Sequence, residues 1–388
     1  MTHSRGKPAM RSAWAASVAL LAWALALPAS GDPRIAPDVA ARAAAGQPVR
    51  VIVELAVPFA PEGVLRGDAR GLQRAAIVGR QARVAAALAG RPHRIVRSFR
   101  SVPALALEVD AEGLAELARS PDVRSVVADE LHAPLLNVSV PLIQADPASV
   151  PGADGSGAAV VVIDTGVDGA HPNLAGRIVA EACFAAGPPG PAGDCPNGAG
   201  FQSGPGAAAP CSYSTECFHG THVAGIAVGD GPQFDGVARG ADLIAIQVST
   251  RIDDTTACSP SPAPCPRSFE SDLIAALEEV YEALRFTWPI AAVNLSLGGP
   301  VWTSQPACDA NNAAYKAVID NLRSVGIATV AAAGNDGALD AIAEPACISS
   351  AVSVGATNDN DAVANFSNRA PFLSLWAPGV LIRAPNYG

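Results

Sequence analysis

Residues 158–166 read Ala-Ala-Val-Val-Val-Ile-Asp-Thr-Gly, an apolar run that ends in a carboxylate. Such a run is typical of a strand buried on both faces of a parallel sheet. The residues that follow alternate strand-like and helix-like segments, which predicts an α/β fold for residues 137–388. Further strands are expected at 243–248, 290–295, 327–332 and 351–354, and helices at 219–228, 271–284 and 312–323. Ser271 is expected to cap the helix that it begins, and residues 184–210 are expected to form an exposed loop.

Residues 47–133 have a different character and predict a small α+β domain. Strands are expected at 49–55, 95–99, 104–109 and 123–127, with helices at 70–89 and 111–119. Residues 32–135 contain 14 arginines and 12 acidic residues, whereas residues 136–388 contain 9 basic and 24 acidic residues. The two domains therefore carry opposite net charge and are expected to attract each other.

Composition excludes several classes of protein. The chain has 388 residues, of which 49% are hydrophobic, so it can bury a sizeable core and is not intrinsically disordered. Its net charge of −10 argues against binding to nucleic acid.

The first 31 residues have the layout of a secretory signal peptide. Arg5, Lys7 and Arg11 precede an apolar run at 13–27, and Ala29-Ser30-Gly31 offers a cleavage site. The run is shorter than the roughly 20 residues that span a bilayer. We therefore expect a secreted or periplasmic protein with no stable membrane span after cleavage.

Eight cysteines in an exported chain suggest disulfides. Eight cysteines allow 105 pairings, and spacing nominates Cys211–Cys217 and Cys258–Cys265 as closures of short loops. For the other four cysteines we expect Cys183–Cys195 and Cys308–Cys347, which spacing alone does not fix. A metal cluster is the alternative, but the chain contains no Cys-x-x-Cys pair.

Three motifs carry candidate chemistry, and the first is Asp164-Thr165-Gly166. A carboxylate at the carboxyl end of a parallel strand can orient a histidine and stabilise its protonated form. It can equally cap a turn. Asp-Thr-Gly also suggests an aspartic peptidase, which needs two such carboxylates. Since the motif occurs once, that interpretation requires a homodimer.

The second motif is His-Gly-Thr-His at 219–222, where a histidine at a helix start suits a general base. A solvated or hydrogen-bonded ring is the plain alternative. Zinc binding by His219 and His222 is disfavoured, because their spacing is three and no Glu lies between them. A Cys217–His219 dyad conflicts with a disulfide at Cys217.

The third motif, Ala-Gly-Asn-Asp-Gly at 333–337, follows a predicted strand. The Asn335 amide can donate to a developing oxyanion, an interaction worth roughly 2.7–4 kcal/mol in a transition state. An ordinary Asn-containing turn is the alternative.

Taken in order, the three motifs resemble those of the subtilisin-like serine peptidases, the subtilase family. The likeness runs from about Ser139 to Gly388 and implies that Asp164 orients the base His219 while Asn335 stabilises the oxyanion. Asn-Leu-Ser-Leu-Gly-Gly at 294–299 resembles the family's substrate-pairing edge. Ser296, Leu297, Gly298, Ala333 and Gly334 would then bind polypeptide substrate as an added β-strand. Other matching segments lie at 161–168, 171–174, 236–241 and 376–379.

The amino-terminal domain is similar to the family's propeptide, an intramolecular inhibitor and folding aid. The likeness rests on residues 96–109 and 125–130, and it implies a maturation cut at 132–140. The propeptide would then be a partner of the peptidase domain.

The family's nucleophile block, Gly-Thr-Ser, does not occur in the 388 residues. We therefore expect an inactive fragment, truncated at the carboxyl end, of a serine endopeptidase. The alternative is a catalytically dead, peptide-binding pseudopeptidase. No cofactor is certain and no metal site is assigned. Calcium stays open, because Asn173 stands where relatives commonly place a liganding aspartate.

Overall fold

The computed structural model describes residues 34–134, 152–187, 193–231, 235–380 and 382. The predicted signal peptide at 1–31 lies outside these ranges. Within them, no helix is both long and apolar enough to cross a membrane.

The amino-terminal region folds as a four-stranded antiparallel sheet in the order β2-β3-β1-β4, with helices packed beside it. Val51, Val53, Leu105 and Leu107 are buried in its own core cluster. The predicted α+β pattern is therefore present. The elements are α1 (Pro37–Ala44), β1 (Val49–Leu55), α2 (Ala69–Ala87), β2 (His93–Ser98), β3 (Ala104–Val109), α3 (Ala111–Arg119) and β4 (Val123–Ala128).

The second region is built on an eight-stranded sheet in the order β18-β17-β15-β12-β6-β9-β7-β8. All its pairs are parallel except β7 with β8, which confirms the predicted α/β class. The elements are β5 (Leu131–Pro134), β6 (Ala159–Asp164), β7 (Ile178–Phe184), β8 (Phe201–Ser203), α4 (His219–Val228), β9 (Asp242–Gln247), β10 (Thr250–Ile252), α5 (Thr255–Cys258), β11 (Cys265–Phe269), α6 (Glu270–Glu282), β12 (Ile290–Leu295), β13 (Leu297–Gly298), β14 (Val301–Trp302), α7 (Gln305–Asn311), α8 (Ala313–Ser324), β15 (Ala328–Ala332), β16 (Ile342–Ala343), β17 (Val352–Thr357) and β18 (Leu375–Pro378).

The four nominated disulfides are all present. Cys183–Cys195, Cys211–Cys217, Cys258–Cys265 and Cys308–Cys347 leave no free cysteine among the described residues. Such bonds persist in oxidising compartments, so they fit an extracellular protein.

Two local expectations were wrong. Helix α6 begins at Glu270, and the N–H and hydroxyl of Ser271 donate instead to Asp129, at 2.7 and 2.6 Å. A partner from the other region therefore replaces the expected cap. Residues 184–210 are not uniformly exposed, because β8 pairs with β7, and Ala207 is fully buried.

Buried ion pairs join the two regions along α6. Asp272 is fully buried, and its Oδ1 accepts from Arg97 Nη2 at 2.7 Å. Arg50 lies 2.5 Å from Asp129 and 3.7 Å from Asp272. Almost two turns further along the helix, Glu278 accepts from the backbone N–H of Ser101 at 2.7 Å. The opposite net charges of the two regions thus meet at this interface.

We expect Arg97→Gln to lower the free energy of unfolding by roughly 3 kcal/mol, because it leaves the buried Asp272 with a weaker partner. Burial raises the pKa of the Asp272 carboxyl, and Arg97 opposes that shift. The measurement is urea unfolding at pH 7. Arg119→Gln is the matched control, since Arg119 is exposed and its ion pair among the described residues is with Glu116; it should cost under about 1 kcal/mol. Equal losses of unfolding free energy in the two variants would show that the buried Arg97–Asp272 pair stabilises the protein no more than an exposed pair does.

Candidate active site

Asp164 and His219 form a buried hydrogen-bonded pair. Strand β6 ends at Asp164 and α4 begins at His219, and 2.7 Å separates Asp164 Oδ1 from His219 Nδ1. Because a carboxylate only accepts, Nδ1 carries the proton and donates. The exposed fractions are 0% for Asp164 and 3% for His219. Nε2 of His219 has no hydrogen-bond partner among the described residues, so it is the nitrogen that could accept a proton.

Thr165 fixes the approach of the two elements that carry this pair. Its N–H donates to Asp164 Oδ1 at 2.7 Å, and its hydroxyl donates to the carbonyl of Cys217 at 3.0 Å. The same hydroxyl accepts from the N–H of Gly220 at 2.9 Å. Cys217 is bonded to Cys211, whose N–H donates to the Thr165 carbonyl at 3.3 Å. The disulfide therefore anchors the loop that precedes His219.

Gly220 is required by the close contact between α4 and the Asp164 turn. A Cβ at this position would overlap the carbonyl oxygen of Gly166 and would lie 3.0 Å from the Asp164 Cβ. Only glycine allows the helix start to come this close.

Asn335 is exposed on a turn that follows β15. The buried Asn368 holds this turn: its side-chain oxygen accepts from Asp336 N at 3.0 Å and Ala338 N at 2.9 Å. Gly334 has a φ of +105°, and a Cβ there would overlap the Asn368 amide. Parallel strands bring their carboxyl ends to one edge of the sheet, and β15 lies two strands, or about 10 Å, from β6. Asn335 and Asp164 therefore follow strands that end at the same edge.

The predicted substrate-binding residues line the space beside Asn335. Ser296, Ala333, Gly334 and Asn335 border a cavity of about 170 Å³. Gly298, Gly334 and Asn335 also border a second cavity, of about 440 Å³. Leu297 is fully buried in the main core instead, so its contribution is through the backbone of β13.

Strand β5 occupies the groove that these residues form. It pairs antiparallel with β13, with Ala133 opposite Gly298, and antiparallel with β11, with His132 opposite Ser268. A segment that directly follows the amino-terminal region is therefore held as an added strand between two edges of the second region.

Other candidate residues take no part in the Asp164–His219 hydrogen bond. Burial and His219 lower the pKa of His222. Asn173 is buried, and its carbonyl accepts from the N–H of Asp230; nothing about it assigns calcium. Among the described residues, the group of three His, Cys, Asp or Glu side chains with metal-like spacing is His132, Glu270 and Glu344.

Sequence reasoning missed Asn368 and this last group. Asn368 lies 32 residues from Asp336 and 30 from Ala338, the two residues of the turn that it holds, in a segment that carries no recognisable motif. The acidic residues Glu270 and Asp272 do leave a signal, because they stand at the start of a segment whose apolar spacing predicts a buried helix. A carboxylate on a buried helix face predicts a partner from another element.

Comparison with known proteins places the chain in a class of hydrolases. The model of the subtilase family matches residues 155–386, more than half of the chain. Subtilisin E of Bacillus subtilis strain 168 is 30% identical over 303 residues, which cover 75% of this chain and 65% of that protein. M-protease of Shouchella clausii strain KSM-K16 is 28% identical over 298 residues, 75% of this chain and 64% of that protein.

The chain belongs to the subtilase family. It spans somewhat less than two thirds of the length of these two relatives. Subtilisin DY of Bacillus licheniformis is 30% identical over 249 residues, 63% of this chain and 72% of that protein. The membership excludes the homodimeric aspartic peptidase, and Asp164 is in any case engaged by a histidine.

We expect Gly220→Ala to destabilise the protein by about 1–3 kcal/mol through overpacking against the Gly166 carbonyl. It should also weaken the low-field proton NMR signal of the His219–Asp164 hydrogen bond. Gly71→Ala, in an open position of α2, is the control and should be neutral or stabilising by about 0.5–1 kcal/mol. A Gly220→Ala protein with unchanged stability and signal would show that the contact is not needed.

Proposed function

We propose that this chain is the precursor part of a secreted serine endopeptidase that hydrolyses peptide bonds. The observation that carries the proposal is the buried Asp164–His219 hydrogen bond, which leaves His219 Nε2 unpartnered. The subtilase family membership supports the same chemistry.

In this proposal His219 Nε2 takes the proton of a serine hydroxyl as the serine attacks the scissile carbonyl. Asp164 holds the ring and stabilises the imidazolium that forms. The Asn335 amide donates to the developing oxyanion. The backbone of Ser296 to Gly298 pairs with the extended substrate. His219 then returns the proton to the leaving amine.

The amino-terminal region acts as an intramolecular inhibitor in this scheme. Strand β5 holds the groove in the same antiparallel manner that a substrate strand would use. The ion pairs of Arg97 and Arg50 with α6 keep the region docked. A maturation cut at 132–140 would separate inhibitor from peptidase.

The 388-residue chain does not contain the Gly-Thr-Ser block. We therefore expect no covalent labelling of this chain by a serine-directed phosphonate, since Asp164 and His219 alone cannot form an acyl-enzyme. Mass spectrometry measures the adduct, with a commercial serine peptidase as the positive control. Stoichiometric labelling would overturn this part of the proposal.

The peptidase assignment is tested by expressing the complete open reading frame. Asn335→Ala should lower kcat by about 10²–10³-fold with little change in KM, because the donor acts on the transition state. Asn360→Ala, an exposed asparagine, is the matched control and should stay within about twofold. An unaffected kcat in Asn335→Ala would reject the oxyanion role. Peptide binding without any turnover would favour the pseudopeptidase.

A further inference from the structure

His132 of β5 is enclosed by polar side chains that no step of the proposed reaction uses. Its side chain is fully buried, and Nε2 lies 3.4 Å from Glu344 Oε1. Its ring packs edge-on to Tyr315, with centroids 6.1 Å apart. The His132 ring, Glu270 and Glu344 place their polar atoms within 4.8 Å of one another. We call the enclosure formed by Glu270, Glu344 and Tyr315 the acidic pocket.

The register of β5 makes the acidic pocket part of the groove. His132 stands opposite Ser268 of β11, and the next residue stands opposite Gly298 of β13. Gly299 closes the wall, because a Cβ there would lie 2.9 Å from His132 Cε1 and 3.0 Å from Glu344 Oε1. Any extended peptide that replaces β5 in this register brings one side chain to the position of His132.

The acidic pocket is short of positive charge. Glu344 Oε2 accepts from Trp302 Nε1 at 3.0 Å, but Glu344 Oε1 has no hydrogen-bond partner among the described residues. The Tyr315 hydroxyl is also unpartnered there. In the described part of the chain, no arginine or lysine forms an ion pair with Glu270 or Glu344.

Both carboxylates are almost completely buried, at 2% for Glu270 and 1% for Glu344. Burial raises the pKa of Glu270 well above its usual value, and the charge of Glu344 raises it further. Burial likewise raises the pKa of Tyr315, with Glu270 and Glu344 adding to the effect. Buried carboxylates that lack a cation are costly, and a cation brought between them would relieve that cost.

We propose that the acidic pocket is a specificity subsite that selects a cationic side chain, lysine or arginine, at one fixed position on the amino-terminal side of the cleaved bond. The position is the one that pairs with Ser268, immediately before the residue that pairs with Gly298. The inference deepens the proposed endopeptidase function and rests on it. Histidine fills the subsite in the precursor with a ring that is charged only when protonated, whereas arginine, and lysine beside an ionised carboxylate, bring a positive charge at neutral pH.

A zinc ion held by His132, Glu270 and Glu344 is the competing occupant. The described residues supply three ligands to such an ion, and one carboxylate oxygen of Glu344 is already engaged by Trp302. The experiment below separates these two occupants.

The test uses the 388-residue chain and does not depend on peptidase activity. His132→Lys and His132→Met place two side chains of similar length in the pocket, one cationic and one apolar. Hydrogen exchange measures the protection of the backbone amides of β5. We expect the β5 amides to be protected about tenfold or more strongly in the lysine variant than in the methionine variant, because the lysine forms a charge-assisted contact with the pocket. Adding Glu344→Gln should shrink that ratio to below about threefold.

Glu279→Gln is the matched control for the charge removal, because Glu279 lies nine residues along α6 from Glu270. It should leave the lysine-to-methionine ratio unchanged. The proposal would be overturned if the His132→Met and His132→Lys variants protected β5 equally. It would also be overturned if Glu344→Gln left the ratio of their protection unchanged. Protection of the unmodified chain that rises with added Zn²⁺ and falls with EDTA would also overturn it, in favour of a metal site.

A second readout uses the product of the complete reading frame and a peptide mixture that varies at the same position. The unmodified enzyme should cleave peptides with lysine at this position faster than peptides with methionine. Glu344→Gln should lower that ratio of cleavage rates by a factor similar to its effect on the protection ratio. Equal cleavage of the two peptides by the unmodified enzyme would contradict the subsite. If no peptide is cleaved at all, the peptidase function fails, and the exchange ratios still decide the chemistry of the pocket.

Discussion

Parallel pairing of β6 with β9 on one side and β12 on the other is the constraint on which the site depends. Every residue of β6 from Ala159 to Asp164 has a partner in β9, so the end of the strand is fixed to within one residue. Asp164 is thereby held at the carboxyl edge with no exposed surface. Thr165 and the Cys211–Cys217 disulfide then position α4, and the hydrogen bond to Asp164 holds the His219 ring by its Nδ1.

The same edge explains why the groove accepts a strand. Residues of β13 follow β12 directly and present their backbone beside the ends of the parallel strands. Strand β11 presents a second edge, and β5 forms backbone hydrogen bonds with the edges of both β11 and β13. The amino-terminal region adds charge to this pairing, because its arginines neutralise carboxylates of α6 that would otherwise be buried alone. Docking and groove occupation therefore support each other.

Much of this arrangement could be predicted from local sequence. The apolar run of β6, the helix start at His219 and the strand before Gly334 each follow from short-range patterns. Spacing predicted the two disulfides that close the shortest loops, Cys211–Cys217 and Cys258–Cys265. The hydrogen bonds from Ser271 to Asp129, which replace the predicted cap, could not be foreseen, since the two residues are more than 140 positions apart. Asn368 and the acidic pocket escaped for the same reason. Each is defined by contacts between distant segments, and hydrophobic periodicity carries no information about them.

The most direct test of the account is amino-terminal sequencing of the mature protein made from the complete reading frame, with and without His219→Ala. If β5 occupies the groove as a substrate-like strand and His219 is the base, the unmodified protein should begin within residues 132–140. The His219→Ala protein should then stay uncut. A mature terminus outside that window, or equal processing of the two proteins, would contradict the account.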